Sequence, residues 1–351
     1  MTMDGQKLEA LLGTMVNELG AAANAALVIT GERLGLYRAL ANGGEITSAQ
    51  LAAKTGTHER YVREWLGAQA ASGFVTYSVD RGTFSMSPEQ AAVFADPESP
   101  FFMTGGFESL SAVFSSEPKL AEAFKTGKGL GWGEHCNCLF CGVEKFFRPA
   151  YKANLVGEWL PALEGVTEKL QHGARVADIG CGHGASTLIM AEAFPNARFI
   201  GFDFHGASVD QASDYARDAG LTNVHFEVAS AQDFPGQDYD LVTIFDALHD
   251  MGDPVGACRH IRQALKSDGA FMVVEPAAGD RLEDNLNPIG RLSYAFSTSI
   301  CVPSSLAQDV GLALGGQAGE ARIADIIRKG DFSRCKCVVK TPFNMIMEAR
   351  P

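Results

Sequence analysis

The sequence predicts an α/β fold, a doubly wound parallel sheet, preceded by a separate helical and winged-helix unit. Three observations predict it. The apolar run Val176-Ala177-Asp178-Ile179 ends in a glycine loop, Gly180-Cys181-Gly182-His183-Gly184, and a helix-like stretch follows. A second apolar run, Phe199-Ile200-Gly201-Phe202, ends in the carboxylate Asp203. From Ala174 onward, apolar runs and helix-length stretches alternate, the mark of a parallel sheet covered by helices. Glycines let the chain turn sharply and let a ligand lie against the backbone. A carboxylate ending the second strand can take both hydroxyls of a ribose. These residues point to a nucleoside-bearing cofactor over the C-terminal edge of the sheet.

Composition narrows the function. The chain has 351 residues, 46% of them apolar and 20% charged, enough for two domains and a large core. Its net charge of −13 opposes a nucleic-acid surface. The first residues show no charged-then-apolar leader, and no uninterrupted apolar run spans a bilayer. The expectation is a soluble, cytoplasmic protein with no membrane partner. Its eight cysteines are then expected to be reduced.

In chain order, Leu8, Leu11, Leu12, Met15, Val16 and Leu19 recur at helical spacing, and the small-residue stretch Gly20 to Ala26 offers a homodimer surface or an ordinary packing face. Residues 31 to 86 read helix, helix, hairpin. Leu34, Leu36, Tyr37 and Leu40 form a stripe, and Thr47 with Gln50 forms a capping box. Thr57 is placed as the cap of the next helix, which Gly73 stops, and Asp80-Arg81-Gly82 turns a hairpin. This is a winged-helix pattern. DNA binding is disfavoured, because residues 1 to 100 hold seven Lys/Arg against eleven Asp/Glu, and Arg60 and Arg63 stand beside Glu59 and Glu64. The expected domains are 1–90 (helical and winged-helix), 91–170 (a helical linker or lid broken at Pro97, Pro100 and Pro118) and 171–351 (cofactor-binding). Strands are expected at 175–179, 197–202, 224–228, 239–245 and 270–275, then at 335–339 and 344–349.

The glycine loop alone admits two cofactors. Gly180-x-Gly182-x-x-Ala185 also satisfies a permissive dinucleotide pattern, with Asp203 at NAD spacing. Asp178, two residues before the first glycine, suits a cationic or amino-acid-bearing ligand better than a pyrophosphate. Gly184 extends the turn. The fourth strand runs into Phe245-Asp246-Ala247-Leu248-His249-Asp250-Met251-Gly252-Asp253-Pro254, placing acid/base groups over the switch point. These features favour S-adenosylmethionine.

On these motifs, residues 174 to 350 resemble the class I S-adenosylmethionine-dependent methyltransferases, and residues 8 to 90 resemble the winged helix of their two-domain O-methyltransferase-like branch. The segments Phe146 to Leu160, Phe245 to Pro254 and Thr341 to Arg350 resemble a bacterial group of that branch, largely without assigned substrates. The resemblance implies a Rossmann-like, seven-stranded sheet. It implies that Gly180 and Gly182 hold the methionine part of the cofactor, with Asp178 facing its amino group. Asp203 would bind the ribose, Phe204 would pack near adenine, and Ser230 and Ala231 would edge it; Ser230 stands where the family commonly has an acid. Asp246 would line the methionine end. His249 matches the base of related O-methyltransferases, although Met251 replaces the family's Trp; a brace of the loop is the other reading. His135, Tyr151 and Glu275 are placed at the substrate pocket, with Glu275 also readable as a strand-end acceptor.

The cysteines are unusual for that group. Cys136-x-Cys138-x-x-Cys141 could converge on a zinc or other soft ion, with Cys335-x-Cys337 supplying further ligands. By analogy with metalloid methyltransferases they could hold a thiophilic substrate, or they could be thiols with no shared role. The leading expectation is methyl transfer to a small molecule, at a hydroxyl. A winged-helix regulator using the fold as a sensor and an NAD-linked oxidoreductase stand as alternatives.

Overall fold

The computed structural model describes residues 3–351. They divide into two compact units. One unit takes the chain up to Ser111 together with Cys141–Pro149; the other takes Ala112–Phe140 and Ala150–Pro351.

In the first unit, α1 (Gly5–Arg33), α2 (Leu36–Ala41), α3 (Ser48–Thr55) and α4 (Glu59–Ala71) precede a short hairpin, β1 (Thr76–Ser78) and β2 (Thr83–Ser85). The capping box forms as expected, with Gln50 N donating to Thr47 Oγ1. The cap of α4 is His58 rather than Thr57: its side chain accepts from Arg60 N, because the helix starts one residue later than the Thr57 reading. Tyr37, Leu40, Leu51, Val62, Trp65 and Leu66 close the core, and α5 (Pro88–Phe94) adds Phe94. A buried polar relay crosses it. Tyr37 Oη donates to Gln69 Oε1 (2.7 Å), and Gln69 Nε2 donates to Asn24 Oδ1 (2.7 Å). On α4, Arg60 pairs with Glu64 and Arg63 with Glu59, so the cations of the would-be recognition helix are spent on its own acids.

Leu8, Leu11, Leu12, Met15, Val16 and Leu19 remain exposed along α1. Among the described residues α1 is one helix long and apolar enough, by length and composition alone, to cross a membrane.

The helices α6 (Thr104–Thr126) and α7 (Asn137–Asn154) each run through a proline, Pro118 and Pro149. Pro118 was expected to break the chain. A proline removes one helical hydrogen bond and bends the helix, without having to end it. After α7, a π turn at Leu155–Trp159 leads to α8 (Val166–Gln171).

The second unit is built on seven strands. These are β3 (Arg175–Ile179), β4 (Arg198–Asp203), β5 (Val224–Val228), β6 (Tyr239–Phe245), β7 (Leu265–Pro276), β8 (Arg334–Lys340) and β9 (Asn344–Arg350), in spatial order β5-β4-β3-β6-β7-β9-β8. The first five are parallel, and β9 enters antiparallel between β7 and β8. The order reverses between β3 and β6, which makes the C-terminal ends of those strands the switch point. The helices α9 (Ala185–Ala193), α10 (Gly206–Asp218) and α11 (Pro254–Ala264) connect the parallel strands. After β7 come α12 (Pro288–Phe296), a π turn at Ser297–Cys301, α13 (Val302–Leu306) and α14 (Glu320–Lys329). The apolar residues of α11 and α14 (Ala257, Ile261, Ile323, Ile327) pack on Val242, Ile244, Phe271 and Val273 of the sheet. Each fully buried Val, Ile or Phe side chain among these contributes about 1.5–3 kcal/mol.

Candidate active site

The glycine loop is fixed by the strand beside it. Gly180 N and Cys181 N both donate to Phe202 O, at 2.7 and 3.1 Å, and Gly182 N donates to Asp203 Oδ2 at 2.9 Å. Gly180 (φ 70°) and Gly182 (φ 53°) both take left-handed backbone, which a side chain would oppose. A Cβ at Gly182 would meet no protein atom within 4 Å; one at Gly180 would come 3.0 Å from Ala247 Cβ. The loop after β3 therefore lies directly against the loop after β6, which carries His249.

The carboxylates around this loop divide into two kinds. Asp178 is buried, and its oxygens accept from Ser186 Oγ (2.8 Å), Thr187 Oγ1 (2.6 Å) and Thr243 Oγ1 (2.8 Å). Burial pushes it up to about 6 against those three donors. Its side chain thus ties β3 to the first turn of α9 and to β6. Asp203 is also raised by burial, and it accepts from Gly182 N and from His205 N (2.8 Å), one bond on each oxygen. Phe204, next to it, is 55% exposed. Ser230 is a turn residue: its Oγ donates to Asp233 Oδ1 at 2.8 Å, and Ala231 packs at the rim of the core.

The segment 127–140 adds aromatic groups that the sequence had not singled out. Phe140 packs on His205 (4.7 Å between centroids), and Trp132 packs on Phe140 (5.6 Å). The only signal for this was the aromatic content of a glycine-rich stretch.

Asp246 closes β6 with φ 48° and accepts from Tyr151 Oη (2.7 Å) and Asn344 Nδ2 (2.9 Å). Burial pushes its carboxyl up to about 7, while the Tyr151 bond pulls the other way. Tyr151, placed at the pocket from sequence, is buried here as Asp246's partner. Asn344 was missed. It opens β9, opposite Pro276.

His249 is 4% exposed. Its Nδ1 stands 2.6 Å from Glu275 Oε2, and its Nε2 stands 3.3 Å from Asp250 Oδ1. Glu275 Oε1 also accepts from Leu248 N (3.1 Å) and His249 N (3.4 Å). Glu275, the alternative strand-end acceptor, thus grips both the backbone and the ring of the histidine. Burial opposes charge on the ring, but the carboxylates of Glu275 and Asp250 outweigh it and hold the imidazole well above its usual range. Cys301, on the π turn, shares hydrogen bonding with both His249 and Asp250. It was not expected at the site. His135 is buried with Nδ1 3.0 Å from Ser116 Oγ, so its ring is taken up in the 112–140 segment rather than by the His249 loop.

The five-cysteine ion site is corrected. Cys136 and Cys138 are joined to each other as a disulfide, which also corrects the expectation that all eight thiols are free. Cys141 lies further along α7, outside the disulfide, and burial raises its thiol. Cys335 and Cys337 are residues i and i+2 of β8, so both pack on one face of the sheet, against the core that contains Cys258 and α14. Close spacing in sequence gave no common direction in space. Among the described residues, the one group of three or more His, Cys, Asp or Glu donors that converges is His249, Asp250 and Cys301.

Comparison with known proteins agrees with this architecture. Residues 170–301 match the family model described as a methyltransferase domain. A methyltransferase YcgJ of Bacillus subtilis, itself uncharacterised, is 33% identical over 122 residues, 34% of this chain and 47% of that protein. The 2-heptyl-1-hydroxyquinolin-4(1H)-one methyltransferase of Mycobacteroides abscessus is 35% identical over 92 residues, 26% of this chain and 40% of that protein. The chain thus spans less than half the length of either relative. Among solved structures, human N-acetylserotonin methyltransferase in complex with S-adenosylmethionine has a TM-score of 0.69 at 17% identity, covering 100% of this chain and 99% of that one. Mitomycin 7-O-methyltransferase MmcR gives 0.69 at 20% identity, covering 99% and 100%. Fold and sequence together define a Rossmann-type methyltransferase domain. Residues 22–95 match the Rv2258c-like winged helix-turn-helix domain, so the chain joins a region similar to that domain to one similar to a methyltransferase domain.

Proposed function

We propose that this protein transfers a methyl group from S-adenosylmethionine to a hydroxyl of a small-molecule acceptor. The observation that carries the reading is the sign of the charge at the switch point. Asp178, Asp203, Asp246, Asp250 and Glu275 gather at the ends of β3, β4, β6 and β7, and His249 is the ionisable base placed among them. That field suits a sulfonium and an ammonium. It would repel the pyrophosphate of a dinucleotide.

The residues present fit the cofactor. Gly180 and Gly182 offer bare backbone, Asp203 keeps acceptor capacity on both oxygens beyond its two bonds, and exposed Phe204 gives a flat apolar face beside it. Ser230 and Ala231 would edge the base, and Asp246 the methionine end. Asp178 acts through the loop it braces. Bound S-adenosylmethionine supplies a methyl group made electrophilic by the positive sulfur. The chain's own work is alignment, exclusion of water and removal of the acceptor's proton.

His249 is the group for that proton. Glu275 fixes the ring through Nδ1 and leaves Nε2 as the working atom. The two carboxylates that favour the imidazolium stabilise it once the acceptor's proton has arrived. They also protonate the resting ring, so the Nε2 proton must leave first. A positive charge entering beside the ring favours that loss.

Calorimetric titration with S-adenosylhomocysteine and with NAD tests the cofactor. Binding of NAD without S-adenosylhomocysteine would sink the proposal. A small-molecule screen read by mass, with products heavier by one methyl, then tests the acceptor class; methylation found only at nitrogen or sulfur would remove the hydroxyl assignment.

A further inference from the structure

We propose that His249 Nε2, Asp250 Oδ1 and Cys301 Sγ form a binding site for a zinc-class divalent cation. The three donor atoms lie within 4.8 Å of one another, and the first two are 3.3 Å apart. A tetrahedral zinc site with ligand bonds of about 2.0–2.3 Å has ligand–ligand edges of roughly 3.3–3.7 Å, so the cluster needs little closure. The donors are one imidazole nitrogen, one carboxylate oxygen and one sulfur. That set favours zinc and similar borderline ions over magnesium or calcium, which take oxygen ligands.

Two further observations point to an ion. Asp250 Oδ1 is buried and lacks a well-formed hydrogen bond, with His249 Nε2 at 3.3 Å as its ionic neighbour, while the Cys301 thiol bonds the Asp250 carboxyl. A buried carboxylate oxygen without such a bond is costly and rare. Behind the histidine, Glu275 holds Nδ1 at 2.6 Å, the carboxylate–histidine arrangement that orients a metal-ligating imidazole. The remaining frame is firm. Gln308 Nε2 donates to Asp250 O (2.8 Å), and Ser305 Oγ donates to Met251 O (2.8 Å). A Cβ on Gly316 would lie 3.8 Å from both Cys301 Sγ and His249 Nε2, so bare backbone, not a side chain, borders the donors on that side.

The inference shares His249 with the proposed methyl transfer and rests on that reading in one respect. An ion on Nε2 uses the lone pair that an acceptor's proton would need, so a loaded site and a working base exclude each other.

The test uses the full-length protein, stripped with chelator and titrated with cobalt(II) as a spectroscopic stand-in for zinc. One equivalent should bind with a thiolate-to-cobalt charge-transfer band in the near ultraviolet. Cys301→Ser should abolish the band, and Asp250→Asn should weaken binding at least tenfold. Glu275→Gln, which removes the group behind the ligand, should weaken it about 10- to 100-fold. The double variant Cys335→Ser/Cys337→Ser should leave the band unchanged. S-adenosylhomocysteine binding by each variant reports that it is folded. Absence of the band in the native protein, or its survival in a folded Cys301→Ser, overturns the site. Failure of S-adenosylhomocysteine to bind the native protein would instead remove the cofactor reading and leave the metal result to stand by itself.

Discussion

Replacing Glu275 with glutamine changes one atom and asks what the carboxylate does for His249. Its oxygens serve the ring nitrogen at 2.6 Å and two backbone amides at 3.1 and 3.4 Å. A glutamine Oε1 can keep the amide bonds. Its Nε2 then faces His249 Nδ1 and donates, so the ring must carry its own proton on Nε2, where it cannot take another. In a triad held the same way, the carboxylate-to-amide change lowers turnover by about 10⁴, and loss of a positioned base costs about 10²–10⁴. The expected loss in kcat is therefore on the order of 10²–10⁴, about 3–5 kcal/mol in the barrier. The affinity for S-adenosylhomocysteine should change little, because Glu275 bonds the histidine loop and not the glycine loop. The assay is single-turnover transfer of an isotopically labelled methyl group onto an acceptor from the screen. Nitrogen-15 spectra of the histidine rings report the tautomer independently. Full turnover in a folded Glu275→Gln, or an unchanged tautomer, would refute the reasoning.

Other outcomes follow from the same geometry. Gly182→Ala should cost about 1–2 kcal/mol of stability from left-handed backbone alone, with a larger loss of cofactor affinity, as thermal melts with and without S-adenosylhomocysteine would show. Gly180→Ala adds the 3.0 Å approach to Ala247 Cβ and should lower kcat as well as affinity, which separate kcat and KM measurements would reveal. Asp246 is raised by burial to about 7, so its charge is lost as pH falls through 7. S-adenosylmethionine should bind roughly tenfold more weakly at pH 6 than at pH 8, by calorimetry, and Asp246→Asn should flatten the dependence. The same raised carboxyl favours its protonated form in the fold. Its contribution is full below about pH 4 and lost as pH rises through about 7, a span of about 4 kcal/mol that chemical denaturation at several pH values would detect. The winged helix should show no salt-dependent binding of a random duplex in fluorescence anisotropy at low salt, since Arg60 and Arg63 are paired.

The strands and the glycine loop were legible because they are local. Alternating runs gave β3, β5 and β6 with the observed bounds, and the Gly180–Gly184 spacing marked the turn. Pairings across the fold were not legible. Tyr151 and Asn344 reach Asp246 from 95 positions before it and 98 after it, and Cys301 comes to His249 from a π turn that no local pattern announces. Spacing misled at the cysteines for the complementary reason. Thiols two or three residues apart are close, but the start of a helix and the face of a strand decide where they point. Asp178 shows the same limit at a single residue: its position on the strand was correct, and three hydroxyls from α9 and β6 turned a ligand candidate into a brace.

The charge at the switch point explains why these pieces belong together. A fold seldom gathers several carboxylates away from water unless a cation meets them, because burial alone raises each one toward its neutral form, as it does for Asp178, Asp203 and Asp246. Hydroxyls answer Asp178, backbone amides answer Asp203, and a phenol and an amide answer Asp246. None of these donors carries a formal charge. Only His249 does, and Glu275 and Asp250 both draw on it. The site is thus held short of positive charge by design of its neighbours. The proposed cofactor, with its cationic sulfur, would supply that charge next to the acceptor. In its absence, a divalent ion on His249, Asp250 and Cys301 would supply it at the base.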